Sequence, residues 1–274
     1  MNRHNNDVSL ELCLEHIIDS HNPIFDAFYK LYEDTFDPNV IEPKERYKMW
    51  ISSTKNGKHP FPYVLVVGHS SSLPDKIISF TSGNYMPLLD ENFKPTQRAI
   101  GAIGHTATLE ELRRKGYGSR VLSYFETTAK KLTEERNKEF IGLVCEAENR
   151  SVGFWHKSGF KELEDVIYFQ PPLIFDPNTG ERQYDEVQEN LVIKSYNAKK
   201  TLPKSLVRNI VRTMYEYWCV PKPDGYFGSG INGDLNNPVA YENARSYIHE
   251  VVFKKFENSL SKIPGGHIKL KSKI

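Results

Sequence analysis

Thr106–Phe125 reads TATLEELRRKGYGSRVLSYF. The stretch is apolar and β-branched up to Leu109 and turns at Arg113-Arg114-Lys115-Gly116-Tyr117-Gly118. It then becomes helical, with Val121, Leu122, Phe125, Ala129 and Leu132 forming one apolar stripe. A basic, glycine-rich turn between a strand end and a helix start offers unpaired N–H groups and a positive dipole end, which suit an anionic phosphate. Gly116 and Gly118 remove two Cβ atoms and let backbone approach a ligand, while Arg113, Arg114 and Lys115 add charge.

Two phosphate motifs do not fit. There is no GxxxxGK[ST], and the third glycine of a dinucleotide fingerprint is replaced by Val121. What remains is Arg-x-x-Gly-x-Gly after a strand. A second segment follows strand-like Phe140–Cys145: Glu148-Asn149-Arg150-Ser151, then Gly153-Phe154-Trp155-His156-Lys157-Ser158-Gly159-Phe160. Together and in this order, the two segments resemble the coenzyme A loop and the Asn-containing segment of the Gcn5-related N-acetyltransferase (GNAT) superfamily. The resemblance covers roughly Val8 to Leu173.

The resemblance implies a mixed, mostly antiparallel α/β sheet of about seven strands, splayed beside the glycine turn. It also implies acetyl-CoA as acyl donor, with no metal. The N–H groups of Lys115, Gly116, Tyr117, Gly118 and Ser119, with Arg113 and Arg114, would hold the pyrophosphate. Main-chain groups of Thr108 and Leu109 would pair with the pantetheine arm as an added strand does. A backbone N–H near Leu109 would polarise the thioester carbonyl. Asn149 would bond the pantetheine; its plain alternative is an N-cap for the helix after it. Trp155 stands where the family usually has a tyrosine that protonates the departing thiolate, and an indole N–H is no useful acid. Tyr117 and Tyr168 are substitutes, or the thiolate leaves unaided, its pKa being about 8.5.

An accepting amine with a pKa of about 10 must lose a proton before attack. His105, on the strand before the turn, is one candidate base; a packed or solvated histidine is the plain alternative. Glu146 and Glu148 end the next strand near the same cleft. Glu110 and Glu111 read as surface carboxylates balancing the arginines. Tyr29, Tyr32, Phe36, Tyr47 and Trp50 would line an acceptor pocket or, more simply, fill a core.

A chain of 274 residues can bury a large core, and its apolar and charged fractions are those of a globular protein. A net charge of +1 argues against bulk attraction to nucleic acid or an anionic membrane. Cys13, Cys145 and Cys219 are scattered and show no CxxC spacing, so neither a disulfide framework nor a zinc site is indicated. Without an apolar leader or a run of 18 apolar residues, a reduced cytoplasmic setting is expected.

Along the chain, alternation marks a strand in Val8–Ile18, and Asn22-Pro23 starts a helix ended by Asp37-Pro38. A second helix is expected from Pro43 to about Ile51. Strands follow at Tyr63–Val67 and Lys76–Tyr85, then a Pro-containing connection Met86–Thr96 and a strand Ala99–Leu109. Helix Ser119–Arg136, strand Phe140–Glu146, helix Arg150–Lys157 and strands through Phe160–Gln170 complete the first domain. Pro171-Pro172 and Asp176–Gly180 mark a boundary, giving residues 1–173 and a mainly helical extension over 174–274. The extension holds a short strand at Leu191–Ile193, a helix opening at Pro203, a turn-rich loop Pro221–Pro238, a helix from Tyr241 to about Leu260, and a basic, frayed tail. Its aromatic faces must be buried over the cleft or in a homodimer contact.

The resemblance implies transfer of an acetyl group to a primary amine, and the near-neutral charge without an acidic run points to a small-molecule acceptor. Ile24–Ile51, Met86–Thr96 and the extension would set acceptor choice. A coenzyme A-binding regulatory module without catalysis and an acyltransferase using a longer acyl-CoA are the alternatives.

Overall fold

The computed structural model describes residues 11–38, 41–55, 61–172, 174–198, 200–220 and 238–271. Its first half runs β1 (Leu12–His16), α1 (Ile24–Thr35), α2 (Lys44–Lys55), β2 (Tyr63–Ser70), β3 (Leu73–Leu89), β4 (Pro95–Thr108), α3 (Tyr117–Glu135) and β5 (Glu139–Ala147). Then follow α4 (Val152–Lys157), β6 (Lys161–Leu163), β7 (Tyr168–Gln170), β8 (Val187–Ser195), β9 (Thr201–Pro203) and α5 (Lys204–Met214). The last elements are α6 (Pro238–Ser246), α7 (Phe253–Lys262) and β10 (His267–Lys271). A π-helical turn, Tyr215–Cys219, extends α5, and another, Tyr247–Val252, joins α6 to α7.

The strands form one sheet in the order β1-β2-β3-β4-β5-β8-β6-β10-β9, with β7 attached to β8 off this path. Neighbours are antiparallel except β4 and β5, which run parallel. This is the mixed, mostly antiparallel sheet that the sequence implied. Helix α3 lays its stripe of Val121, Leu122, Phe125 and Ala129 on Val64, Val66, Ile103 and Leu143 of one face. On the other face, α1 and α2 bury Phe25, Phe28, Tyr32 and Tyr47 against Leu65, Val67 and Phe80. Beside them α5 and α7 bury Ile210, Met214 and Phe256 against Met86, Ile100, Val144 and Ile193. Each such side chain contributes about 1.5–3 kcal/mol by leaving water.

Several expectations are corrected. The connection expected at Met86–Thr96 is mostly strand: β3 runs to Leu89, and only residues 90–94 turn. Met86, Leu88 and Leu89 are buried, and Pro87 sits at a register shift, where a missing ladder donor costs least. Asp90 closes the turn, its Oδ1 accepting the N–H groups of Asn92 and Lys94 at 2.8 and 2.9 Å. The tail is not frayed over His267–Lys271, which pairs with both β6 and β9. The Val8–Ile18 strand is described from residue 11 onward, and residues 221–237 of the expected loop lie outside the described residues.

The extension does more than add helices. Strand β8, beyond the boundary read near residue 173, pairs with β5 from Gly142↔Ser195 to Ala147↔Asn190 and separates it from β6. Tyr215 and Phe256 are buried within the chain itself. Among the described residues no helix is long and apolar enough to cross a membrane.

Candidate active site

Parallel pairing of β4 with β5 stops at Ile103↔Cys145, yet β4 continues to Thr108 and β5 to Ala147. The strands part there, and Gly104, on a central strand, is exposed. Gly104 is also a bulge: Ser82 pairs with His105, while the next partner, Gly83, pairs with Ile103. One extra residue reverses the alternation of side chains. Ile103 therefore packs with α3, whereas His105 lies against Tyr32 and Phe36 of the α1 face.

On the far edge of β4 the ladder with β3 continues. Leu109 N–H donates to Ile78 O at 2.9 Å, so it is not the donor expected for a thioester carbonyl. Antiparallel alternation turns the main-chain groups of Thr106 and Thr108 the other way, into the gap. Thr108 replaces Leu109 as the gap-facing residue.

The chain then makes a 3₁₀ turn at Glu110–Leu112 and enters α3 at Tyr117, two residues earlier than expected. Gly116 caps the helix at φ 84°, and Arg114 before it lies at φ 66°. The first helical bond runs from Arg120 N–H to Gly116 O at 3.2 Å, which leaves the Gly118 and Ser119 N–H groups ahead of it. A Cβ on Gly116 would meet nothing within 4 Å, so left-handed backbone is what calls for glycine there. A Cβ on Gly118 would sit 3.0 Å from Thr108 Oγ1 and 3.5 Å from the Phe154 ring, so Gly118 lets α3 start hard against the end of β4 and against α4. Arg113, Arg114 and Lys115 are exposed, and Arg113 Nε donates to Thr108 O at 3.3 Å. Glu111 does not balance the arginines; it pairs with Lys76 at 3.5 Å.

Asn149 is not the cap of α4, whose N-cap position is Ser151. Its Oδ1 accepts from Asn190 Nδ2 at 2.9 Å, and the same amide donates to Ala147 O at 3.0 Å. Trp155 is core: it is buried between Phe154 and Phe160, and its indole N–H donates to Ser151 Oγ at 3.2 Å.

Of the candidate bases, His105 is half-buried, with Tyr32 and Tyr47 hydroxyls each 3.4 Å from one ring nitrogen. Burial lowers its pKa to about 4, so the ring is neutral at physiological pH. Glu146 behaves oppositely. Burial raises its pKa to about 7, with help from the Glu189 carboxylate and against hydrogen bonds from Tyr168 and Gln170. Tyr168 Oη donates to Glu146 Oε1, and Gln170 Nε2 to Oε2 at 2.8 Å. Tyr168 is fully buried and its pKa is pushed well above 10, so it is a poor acid for a leaving thiolate; it holds Glu146 instead. His105 and Glu146 lie on the same face of the sheet, opposite α3, flanking the place where β4 and β5 part.

The model of the acetyltransferase (GNAT) family matches residues 25–160. These residues are a GNAT domain. Among solved structures, a putative GNAT-family acetyltransferase from Bacteroides thetaiotaomicron is 18% identical, with TM-score 0.47, covering 74% of this chain and 96% of that one. Arabidopsis thaliana NAA60, solved with acetyl-CoA, is 10% identical, with TM-score 0.46 and coverage of 69% and 100%. The PaiA N-acetyltransferase of Thermoplasma acidophilum, solved with coenzyme A, is 14% identical, with TM-score 0.41 and coverage of 68% and 100%. No curated protein sequence matches the chain.

The GNAT domain contains the glycine turn, His105, Glu146, Asn149 and Trp155. Tyr168, Gln170 and Asn190, which grip Glu146 and Asn149, lie beyond the matched residues. Gln170 and Asn190 are not among the residues to which the sequence points. Tyr168 and Gln170 stand two apart, the spacing that puts two donors on one strand face, and that signal was available. Asn190 carries no comparable signal.

Proposed function

We propose that this protein transfers an acetyl group from acetyl-CoA to a primary amine of a small molecule, by direct attack in a ternary complex. The observation that carries the reading is the parting of β4 and β5 beyond Ile103↔Cys145, beside a helix start equipped for an anion. Gap-facing groups of Thr106 and Thr108 would run along the pantetheine. The Gly118 and Ser119 N–H groups with Arg113 would take the pyrophosphate. Holding amine and thioester in contact supplies most of the acceleration. Glu146, with a pKa of about 7, is matched to take the ammonium proton near neutral pH. His105 is too weak a base for that step and would contact the acceptor, between helices α1 and α2 and the gap. Three unpaired cysteines suit a reduced cytoplasmic compartment.

Thiol release from acetyl-CoA across a panel of primary amines tests this. Acetyl-CoA-dependent release with at least one amine is the expected result. Buried Trp155 at the family's tyrosine position favours a second reading, a coenzyme A-binding module without catalysis. Saturable acetyl-CoA binding with no turnover on any amine would leave that reading standing.

A further inference from the structure

The grip on Glu146 reaches further along the chain than its two donors. Strand β7 lies off the main path of the sheet and is registered on β8 by Tyr168↔Glu189, Phe169↔Gln188 and Gln170↔Val187. Between the donors, Phe169 O accepts a hydrogen bond from the Tyr215 hydroxyl on the π-helical turn after α5. The Tyr168 and Tyr215 rings also meet, with centroids 5.7 Å apart. Both oxygens of Glu146 are thus engaged by β7, and β7 is pinned from behind by the extension. The titratable groups acting on or acted on by this carboxyl are Tyr168 on β7, Glu189 on β8, Cys145 on β5, and Tyr215 and Cys219 on the π-helical turn.

We propose that Tyr168, Gln170 and Tyr215 are positioning residues that fix the aim and the proton affinity of Glu146, so that chain beyond the residues matching the family sets the pH at which the transferase works. The inference rests on Glu146 as the proton acceptor. Two donors to a carboxylate stabilise its charged form and hold its pKa below what burial alone would give. Two donors also leave acceptor positions on both oxygens unspent, as a base needs.

Carboxyl-carbon NMR of the full chain, with Glu146→Gln used to assign the resonance, reads the titration of Glu146 without any acceptor. Gln170→Leu and Tyr168→Phe each remove one donor, and each should move the midpoint up by about one pH unit, the scale of a hydrogen bond to a charged group. Tyr215→Phe should move it the same way by less. The acid limb of the thiol-release pH profile should follow the NMR midpoint, with acetyl-CoA affinity within about two-fold of the parent. A midpoint that stays put in Gln170→Leu or in Tyr168→Phe overturns the role of that residue. Loss of folding in Tyr168→Phe leaves Gln170→Leu, on a half-buried residue, to decide. A shifted midpoint in a protein that acetylates no amine would reject the transferase reading while keeping the grip. An acid limb that fails to track the midpoint would reject Glu146 as base.

Discussion

Asn190 Nδ2 donates at once to Asn149 Oδ1 and to Ala147 O, at 2.9 and 3.0 Å. One amide on β8 therefore fixes the segment that the resemblance assigns to the pantetheine. Asn190→Ala should weaken acetyl-CoA binding by about 1 kcal/mol, the net worth of an ordinary hydrogen bond. Calorimetry at constant ionic strength checks this; unchanged affinity would separate Asn149 from coenzyme binding.

The glycine turn yields a graded series. Arg113→Ala should cost about 1–3 kcal/mol of acetyl-CoA affinity, as loss of a charged hydrogen bond does. Gly118→Val should cost more, because its side chain would press on Thr108 Oγ1 and the Phe154 ring and move α3 off the end of β4. Gly116→Ala adds no clash; it should lower thermal stability through the φ of 84° by about 1 kcal/mol. Titration of the three variants against the parent gives the order, and equal affinity in all four would refute the loop assignment.

Glu146 and His105 should give the protein opposite pH dependences. The folded pKa of Glu146 is raised from 4.5 to about 7, so its contribution to stability is present below 4.5 and is lost as pH rises through 7. The folded pKa of His105 is lowered from 6.5 to about 4, so its contribution is present above 6.5 and is lost as pH falls through 4. Glu146→Gln should therefore stabilise more at pH 7.5 than at pH 5, and His105→Phe should compare best with the parent at the acid end. Urea denaturation at the two pH values reads both slopes; parallel slopes would contradict the burial of one group.

A fragment ending at residue 173 should not fold. It lacks β8, whose buried Leu191, Val192 and Ile193 stand between β5 and β6, and it leaves an edge on β5, a strand apolar on both faces. Circular dichroism and solubility of the fragment test this. A soluble, cooperatively melting 1–173 would show that β8 is dispensable.

Legibility followed local chemistry. Arg113–Gly118 was readable because a left-handed glycine, a helix start and three cations announce themselves over six residues. The α3 stripe was readable by period. The full length of β3 is not legible because Pro87 reads as a break unless a register shift absorbs it. His105 was located, but the face it points to depends on a one-residue bulge at Gly104 that no periodicity reveals. The donor expected near Leu109 is not the Leu109 N–H, and Thr108 faces the gap instead, because pairing with β3 decides which main-chain groups are spent. Asn190 and the place of β8 were invisible because sheet order is set by pairing across the fold.

The place of β8 also has a consequence for synthesis. Strand β5 is complete at Ala147, but its second neighbour begins at Val187, roughly 40 residues later, or about 2–8 s at ribosomal speeds. Through that interval the nascent chain carries an unclosed strand containing Ile141, Leu143, Val144 and Cys145, all buried in the finished sheet. Closure of the far edge waits longer, until β10 has left the exit tunnel. The GNAT portion is thus translated first and completed last, and a stalled or truncated message would release a chain poised for edge-to-edge aggregation.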